Sequence, residues 1–504
     1  MNANLFARFN IVFAAHAAEA CMRLPDGTAW TFDDLQHATG RMAAALREEG
    51  VGPGDRVVVQ VSKTPDAIAL YLATLQVGGV YVPLNTDYTG SEVAYFLRDA
   101  DPSLFVVGVG SKMGVTTLTL DEYGEGSLKD LASSVDPDRH IAERRSEDLA
   151  AILYTSGTTG RSKGAMLTHG NLTSNADTLI TYWGWRPDDV LLHALPIYHV
   201  HGLFVATHCV LLTGSSMIFL PRFDVDALVQ HLPSSTVLMG VPTFYTRLLG
   251  SALFTREVTA GIRLFVSGSA PLTEQTFEAF EQRTGHRILE RYGMSETGMN
   301  TSNPLDGIRA AGTVGFPLPG IEARITNEAG ESLPPGEIGG IEVRGPNVFS
   351  GYWRMPEKTR DEFRDDGYFK TGDMGIVDAE GRYTIVGREK DLVISGGLNV
   401  YPKEIELLID AIPGVIESAV IGVPHPDFGE AVIAVVVSDI DIDIELDDVT
   451  AVLTGKLARF KQPKRLLRVD ELPRNAMGKV QKNTLRDLCA DRFSWDTQNS
   501  EGAV

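Results

Sequence analysis

Residues 56–85 constrain the fold more than any other stretch. "RVVVQV" (Arg56 to Val61) reads as a buried strand. Thr64-Pro65 offers a helix start, Gly78-Gly79 a stop, and "VYVPLN" (Val80 to Asn85) the next strand. Strand, helix, strand over so short a distance is the unit of a mostly parallel sheet with helices on its faces. The pattern recurs to about residue 300. Just upstream, Thr31-x-x-Asp34 has the form of a capping box. Leu35, Ala38, Met42, Ala45 and Leu46 follow at helical spacing, and Gly50 suits the stop.

From Gly312 the texture changes to short alternating runs broken by Pro and Gly, which predicts a small β-rich unit. After "YTIVGREKDLVISGG" (Tyr383 to Gly397), "PKEIELLIDAI" reads as helix and "ESAVIGV" and "AVIAVVVS" as strands. The expected class is α/β. A large N-terminal domain of mostly parallel sheets flanked by helices spans 1–387, with the β-rich subdomain over about 312–387. A hinge follows at 388–391, and a small mobile α+β domain spans 392–504.

At 504 residues the chain exceeds one ordinary core. A net charge of -21 disfavours nucleic acid and anionic membranes as partners, so any anionic substrate must be met by locally placed cations. The three cysteines, Cys21, Cys209 and Cys489, show no metal-ligand spacing and point to a reducing, cytoplasmic location. "ARFNIVFAAHAAEA" is interrupted by Asn10 and His16 and reads as a first helix, not a leader. No apolar run approaches the ~20 residues of a membrane span.

The chemistry-bearing stretch is "AILYTSGTTGRSKGAML", Ala151 to Leu167. Between two strand-like runs lie Thr155, Ser156, Gly157, Thr158, Thr159, Gly160, Arg161, Ser162 and Lys163. Glycines let a backbone approach a ligand, hydroxyls supply neutral donors, and lysine adds a mobile charge; phosphate oxygens match that set. The loop is not a Walker loop, because Lys163 stands before a glycine and a strand, not a helix, follows.

This loop resembles the phosphate-binding signature of adenylate-forming enzymes, the superfamily of acyl-CoA synthetases, carrier-loading adenylation domains and luciferases. "SGSAPL" (Ser267 to Leu272), "RYGMSET" (Arg291 to Thr297), "FKTGD" (Phe369 to Asp373), "GREKDLVISGG" (Gly387 to Gly397) and "PRNAMGKVQK" (Pro473 to Lys482) agree with it in order and spacing. The resemblance implies ATP, Mg²⁺ and CoA as reactants. A carboxylate attacks the α-phosphate to give an acyl-adenylate and pyrophosphate, and a thiol then displaces AMP.

It also implies roles. The loop, with Thr158 and Lys163 foremost, would hold the β- and γ-phosphates. Glu296, together with Thr158, would bind Mg²⁺. Tyr292 would stack on the adenine, bordered by Ser269 and Ala270. Asp373 would take the ribose hydroxyls, with Arg388 beside it. Lys479 would bridge the attacking carboxylate and the α-phosphate; it is an acetylation target in the family, which implies a lysine acetyltransferase as partner. Gly396 and Gly397 would line the CoA thiol's path, and Lys390 would be the hinge.

The acid is read from cations near the acyl pocket. A diacid needs a guanidinium for its second carboxylate, because an unpaired charge there would be expensive. Arg291 precedes Tyr292-Gly293 beside the adenylate. Arg247 lies in "VPTFYTRLL", which commonly walls the pocket. His199 takes the Pro-x-x-His position near the acyl group, Ser267 could add a hydroxyl, and His201 is read as facing outward. "LPIYHVHGLF", "VPTFYTRLL" and "ERYGMSETGMNTSNP" are similar to malonyl-CoA and methylmalonyl-CoA synthetases. The expected reaction is ATP-dependent ligation of malonate, and of methylmalonate, to CoA. The alternatives are a short- or medium-chain monoacid CoA ligase, a carrier-protein-loading enzyme, and a catalytically dead nucleotide-binding regulator.

Overall fold

The computed structural model describes residues 2–108, 114–155, 162–439, 442, 444–474 and 479–492. The chain forms two compact units. One comprises Met1–Leu272, Thr276–Ala323 and Val343–Phe369; the other comprises Thr273–Gln275, Arg324–Glu342 and Lys370–Val504. Packing thus divides the chain at Phe369–Lys370, ahead of the 388–391 segment expected to bend.

The first unit carries two sheets. In the six-stranded one, Arg56–Gln60 pairs in parallel with Val80–Pro83 and with Leu104–Val107. The helix between the first two, Pro65–Gln76, is capped by the Thr64 side chain, which accepts from the Ala67 amide. Every one of its residues is buried: the sequence is mostly apolar, and its polar members are partnered, Asp66 by Lys129, Thr74 by the Leu70 carbonyl and Gln76 by the Asp138 carbonyl. Ile68, Leu70, Leu72 and Leu75 each contribute about 1.5–3 kcal/mol by that burial. The expected capping box is present: Thr31 and Asp34 bond reciprocally at the start of helix Phe32–Glu48. Residues Leu5–Ala15 form a helix that buries Leu5, Phe6, Phe9 and Phe13.

The nine-stranded sheet positions the site. Val190–His193, Val237–Gly240, Leu264–Ser267 and Leu289–Met294 run parallel, and Gly298–Ser302 returns antiparallel to the last. His193, Gly240 and Ser267 are therefore neighbouring carboxyl-terminal strand ends. In open α/β sheets the crevice outside such ends is where ligands bind.

The second unit is built around a sheet in which Val415–His425 pairs antiparallel with Gly429–Ser438, and Arg465–Arg468 lies parallel to the latter. Successive residues alternate faces, so Val432, Ala434 and Val436 pack with Ile405, Ile409 and Leu453, while Ile433 and Val435 pack with Leu485 and Cys489. Covering both faces explains the unbroken apolar run "AVIAVVVS". Phe369–Val377 and Tyr383–Arg388 form the antiparallel pair expected of the β-rich stretch. Among the described residues, no helix is long and apolar enough to cross a membrane.

Candidate active site

Leu149–Thr155 and Lys163–Thr168 form an antiparallel hairpin in which Thr155 faces Lys163. Its connecting loop, with Ser156, Gly157, Thr158, Thr159 and Gly160, lies outside the described residues. The base of the loop holds a charge cluster. Lys163 is buried, with its Nζ 2.9 Å from Glu362 Oε1 and 4.5 Å from the centre of the Tyr352 ring. The Tyr352 hydroxyl lies 2.7 Å from Glu362 Oε2 and 3.1 Å from Glu296 Oε1. Thr155 Oγ1 donates to Glu296 Oε1 at 3.4 Å, and Lys358 Nζ meets the same Glu362 Oε1 as Lys163, at 2.8 Å. Burial pushes Glu362 up, yet bonds from Lys358, Lys163 and Tyr352 outweigh it and hold the carboxyl below its usual range. Burial, reinforced by Glu296 and Glu362, drives the Tyr352 phenol far up, so it stays protonated.

Thr155, Lys163 and Glu296, expected from sequence to share a site, are brought together. Glu362 and Tyr352 were not foreseen. Glu296 is almost fully buried and offers carboxylate oxygens beside a hydroxyl and a lysine. Those are hard oxygen donors of the kind Mg²⁺ takes with phosphate.

The second cluster surrounds Arg291, which is 2% exposed. Its Nε and Nη2 have no hydrogen-bond partner among the described residues. Neither has Ser267 Oγ or His201 Nε2, both also buried. The guanidinium lies so close to Gly268 that a Cβ there would meet Arg291 Cζ at 2.5 Å. Ser269 follows in the left-handed region at φ 73°, with Oγ 3.4 Å from His201 Nδ1. Burial lowers Arg291 to about 9 despite the pull of Tyr245 and Glu290. It also holds His201 well below its usual range, helped by Arg291, His199 and His193, so His201 is neutral near pH 7.

His201 is thus not outward-facing as expected. It begins the π-helix His201–Thr207, all of whose residues are buried, and so stands inside. His199 is half-buried and accepts the His201 amide at 3.3 Å. Arg247 is left in solvent on helix Pro242–Leu249, 5.8 Å from the Phe223 ring. Its neighbours Phe244, Tyr245 and Leu248 are the buried face, so the structure does not bring Arg247 together with Arg291. Tyr292, Ser269 and Ala270 are half-buried at the same strand ends.

In the second unit Asp373 is buried and in register with Arg388, whose Nε lies 2.7 Å from Asp373 Oδ1. Lys390 is exposed in the turn Glu389–Asp391. Gly396 and Gly397 make an exposed hairpin turn with φ of 61° and 76°, which glycine adopts without strain. Lys479 is exposed.

Two clusters, one of a lysine, carboxylate and hydroxyls at a glycine-rich loop and one with an unmatched buried cation, agree with what comparison with known proteins finds. Residues 12–353 match the AMP-binding enzyme family, and residues 404–479 match the AMP-binding enzyme C-terminal domain. The chain belongs to the AMP-binding enzymes. Among solved structures, this AMP-binding enzyme is similar to ATP-bound MatB from Rhodopseudomonas palustris. The identity is 55% and the TM-score 0.95, over 98% of this chain and 100% of that one. Among curated relatives, the malonate–CoA ligase of Arabidopsis thaliana is 35% identical over 96% of this chain and 89% of its own. A feruloyl-CoA synthase of an Amycolatopsis species is also 35% identical, over 91% of this chain and 94% of its own.

Proposed function

We propose that this AMP-binding enzyme is an ATP-dependent malonate–CoA ligase. It activates malonate as malonyl-adenylate with release of pyrophosphate, then forms malonyl-CoA and AMP, and methylmalonate is a second substrate. Curated malonate–CoA ligases reach 37% identity and a feruloyl-CoA synthase 35%, so overall identity leans towards malonate by a narrow margin. The observation that carries the choice is the buried, incompletely bonded guanidinium of Arg291. A buried cation left short of partners is costly, and a small dianion brings the missing charge and acceptors. Ser267 Oγ and His201 Nε2, likewise unsatisfied, complete the set that would receive the distal carboxylate. Arg247 is not part of that set.

The first half-reaction joins two anions, so its barrier is largely electrostatic. Lys163 offers its ammonium to the β- and γ-phosphates. Glu296 and Thr155 fit a Mg²⁺ ion, with Thr158 in the adjoining loop; when bound, the ion neutralises phosphate charge. Tyr352 and Glu362 keep Lys163 and Glu296 in place. Asp373, oriented by Arg388, accepts the ribose hydroxyls. Following the family resemblance, Lys479 serves adenylation, Gly396 and Gly397 serve the thiol step, and the bend between steps is at 388–391 about Lys390. Buried free thiols at Cys21, Cys209 and Cys489 fit a reducing compartment such as the cytoplasm.

Steady-state rates with ATP and CoA on malonate, methylmalonate, succinate and propionate test the reading. Malonate is expected to exceed propionate in kcat/KM by about a hundredfold or more, the worth of a buried charge pair. Equal use of propionate would reject a distal-carboxylate site.

A further inference from the structure

We propose that Lys63 is a positioning residue for the acid pocket, acting through His193 on the segment that carries His201. This inference rests on the malonate reading above and names a device that supports the same site. Lys63 lies in the turn between strand Arg56–Gln60 and helix Pro65–Gln76. From the six-stranded sheet it reaches the end of a strand in the nine-stranded one. Its Nζ is 2.9 Å from His193 Nδ1, 2.8 Å from the His193 carbonyl oxygen, and 4.4 Å from the centre of the Phe219 ring.

Burial holds Lys63 well below the usual lysine range, but the tautomer does not hang on its charge: the Gly202 carbonyl only accepts, so the His193 ring proton sits on Nε2 and Nδ1 accepts from Lys63. That N–H points at the Gly202 carbonyl, 3.0 Å away, with Thr207 Oγ1 at 3.2 Å. Thr207 Oγ1 donates to the same carbonyl at 2.9 Å. Gly202 is held closely on its other side too, since a Cβ there would stand 2.0 Å from the Pro196 carbonyl oxygen. The Gly202 carbonyl is thereby clamped in the first turn of the π-helix, directly after His201. π-helical turns are frequent at functional sites because they re-aim side chains. His201 owes its place beside Arg291 to this clamp, and Lys63 holds the His193 ring on which the clamp depends. Lys63 itself touches no substrate.

The test is Lys63→Met, which keeps the stem over Phe219 and removes the donors, with Lys63→Arg as the conservative variant. For Lys63→Met, KM for malonate should rise at least about tenfold, the scale of a supporting group shifted out of place. KM for ATP and kcat/KM for propionate should stay within about twofold, and Lys63→Arg should recover most of the loss. Should Lys63→Met fail to fold, Thr207→Val opens the same clamp without changing side-chain shape and must raise KM for malonate selectively. An unchanged KM for malonate in a folded variant, or equal losses on malonate and propionate, would overturn the proposal. The wild-type preference for malonate over propionate tests the substrate reading separately; the change in that preference in Lys63→Met tests the clamp.

Discussion

Replacing Arg291 with methionine separates what the buried guanidinium costs from what it does. Burial brings Arg291 from an ordinary value of about 12.5 down to about 9. At about 1.4 kcal/mol per pH unit, that difference is a cost of about 5 kcal/mol to the folded, empty enzyme. The folded value is depressed for a base, so the cost is present in full at every pH below about 9 and fades only as pH rises above it. Methionine fills similar space without charge, and such replacements commonly stabilise by about 1–4 kcal/mol. Arg291→Met should therefore melt higher than wild type at pH 7. Malonate at a hundred times its Kd should stabilise wild type by about 2.7 kcal/mol, and the variant hardly at all. Removing one partner of a buried charge pair costs about 3–5 kcal/mol, so kcat/KM on malonate should fall about 10²- to 10⁴-fold. Propionate, with no distal charge, should lose far less. Thermal melts with and without malonate, and kinetics on both acids, read all of this. A variant that melts lower and is still stabilised by malonate would refute the reasoning.

Two further outcomes are expected. Lys479→Ala should lose adenylate formation, read as pyrophosphate release, yet convert supplied malonyl-adenylate and CoA to the thioester; loss of both steps in a folded variant would remove its assigned role. The second concerns acid. Burial, with Arg144 nearby, lowers His169 to about 4, and burial lowers His208 to about 3. Both are depressed, so the unfolded chain binds more protons below about pH 6.5, and stability falls from there towards the folded values. Each then removes up to about 1.4 kcal/mol per pH unit, or about 4 kcal/mol together by pH 5. Urea unfolding at pH 7 and pH 5 measures it, and equal stability at both would contradict the burial of these rings as neutral groups.

What could be read in advance was local. Thr64-Pro65 and Gly78-Gly79 bounded a helix because capping and left-handed glycine are short-range effects. A loop between two strands could be read at 155–163 because both flanking runs were strand-like; that the two strands pair with each other was added by the structure. Lys163 and Glu296, far apart in the chain, could be joined only through the family resemblance. Glu362 and Tyr352 belong to no short motif, and their meeting is made by tertiary packing alone. His201 was misread because only His199 falls on the Pro-x-x-His position, and nothing local in the sequence announces the buried π-helix that begins at His201. For Arg247 a signal was present: Phe244, Tyr245 and Leu248 mark the inward face of the helix, and Arg247 falls off it. Lys63 gave no sign, since its partner His193 lies on a strand of a different sheet.

A crystal structure of the enzyme with malonyl-adenylate tests the central claim most directly. The account predicts the distal carboxylate oxygens about 2.7–3.0 Å from Arg291 Nε and Nη2, with Ser267 Oγ or His201 Nε2 completing the contacts. A distal carboxylate turned towards solvent or apolar side chains, with Arg291 left as it is in the empty enzyme, would contradict it.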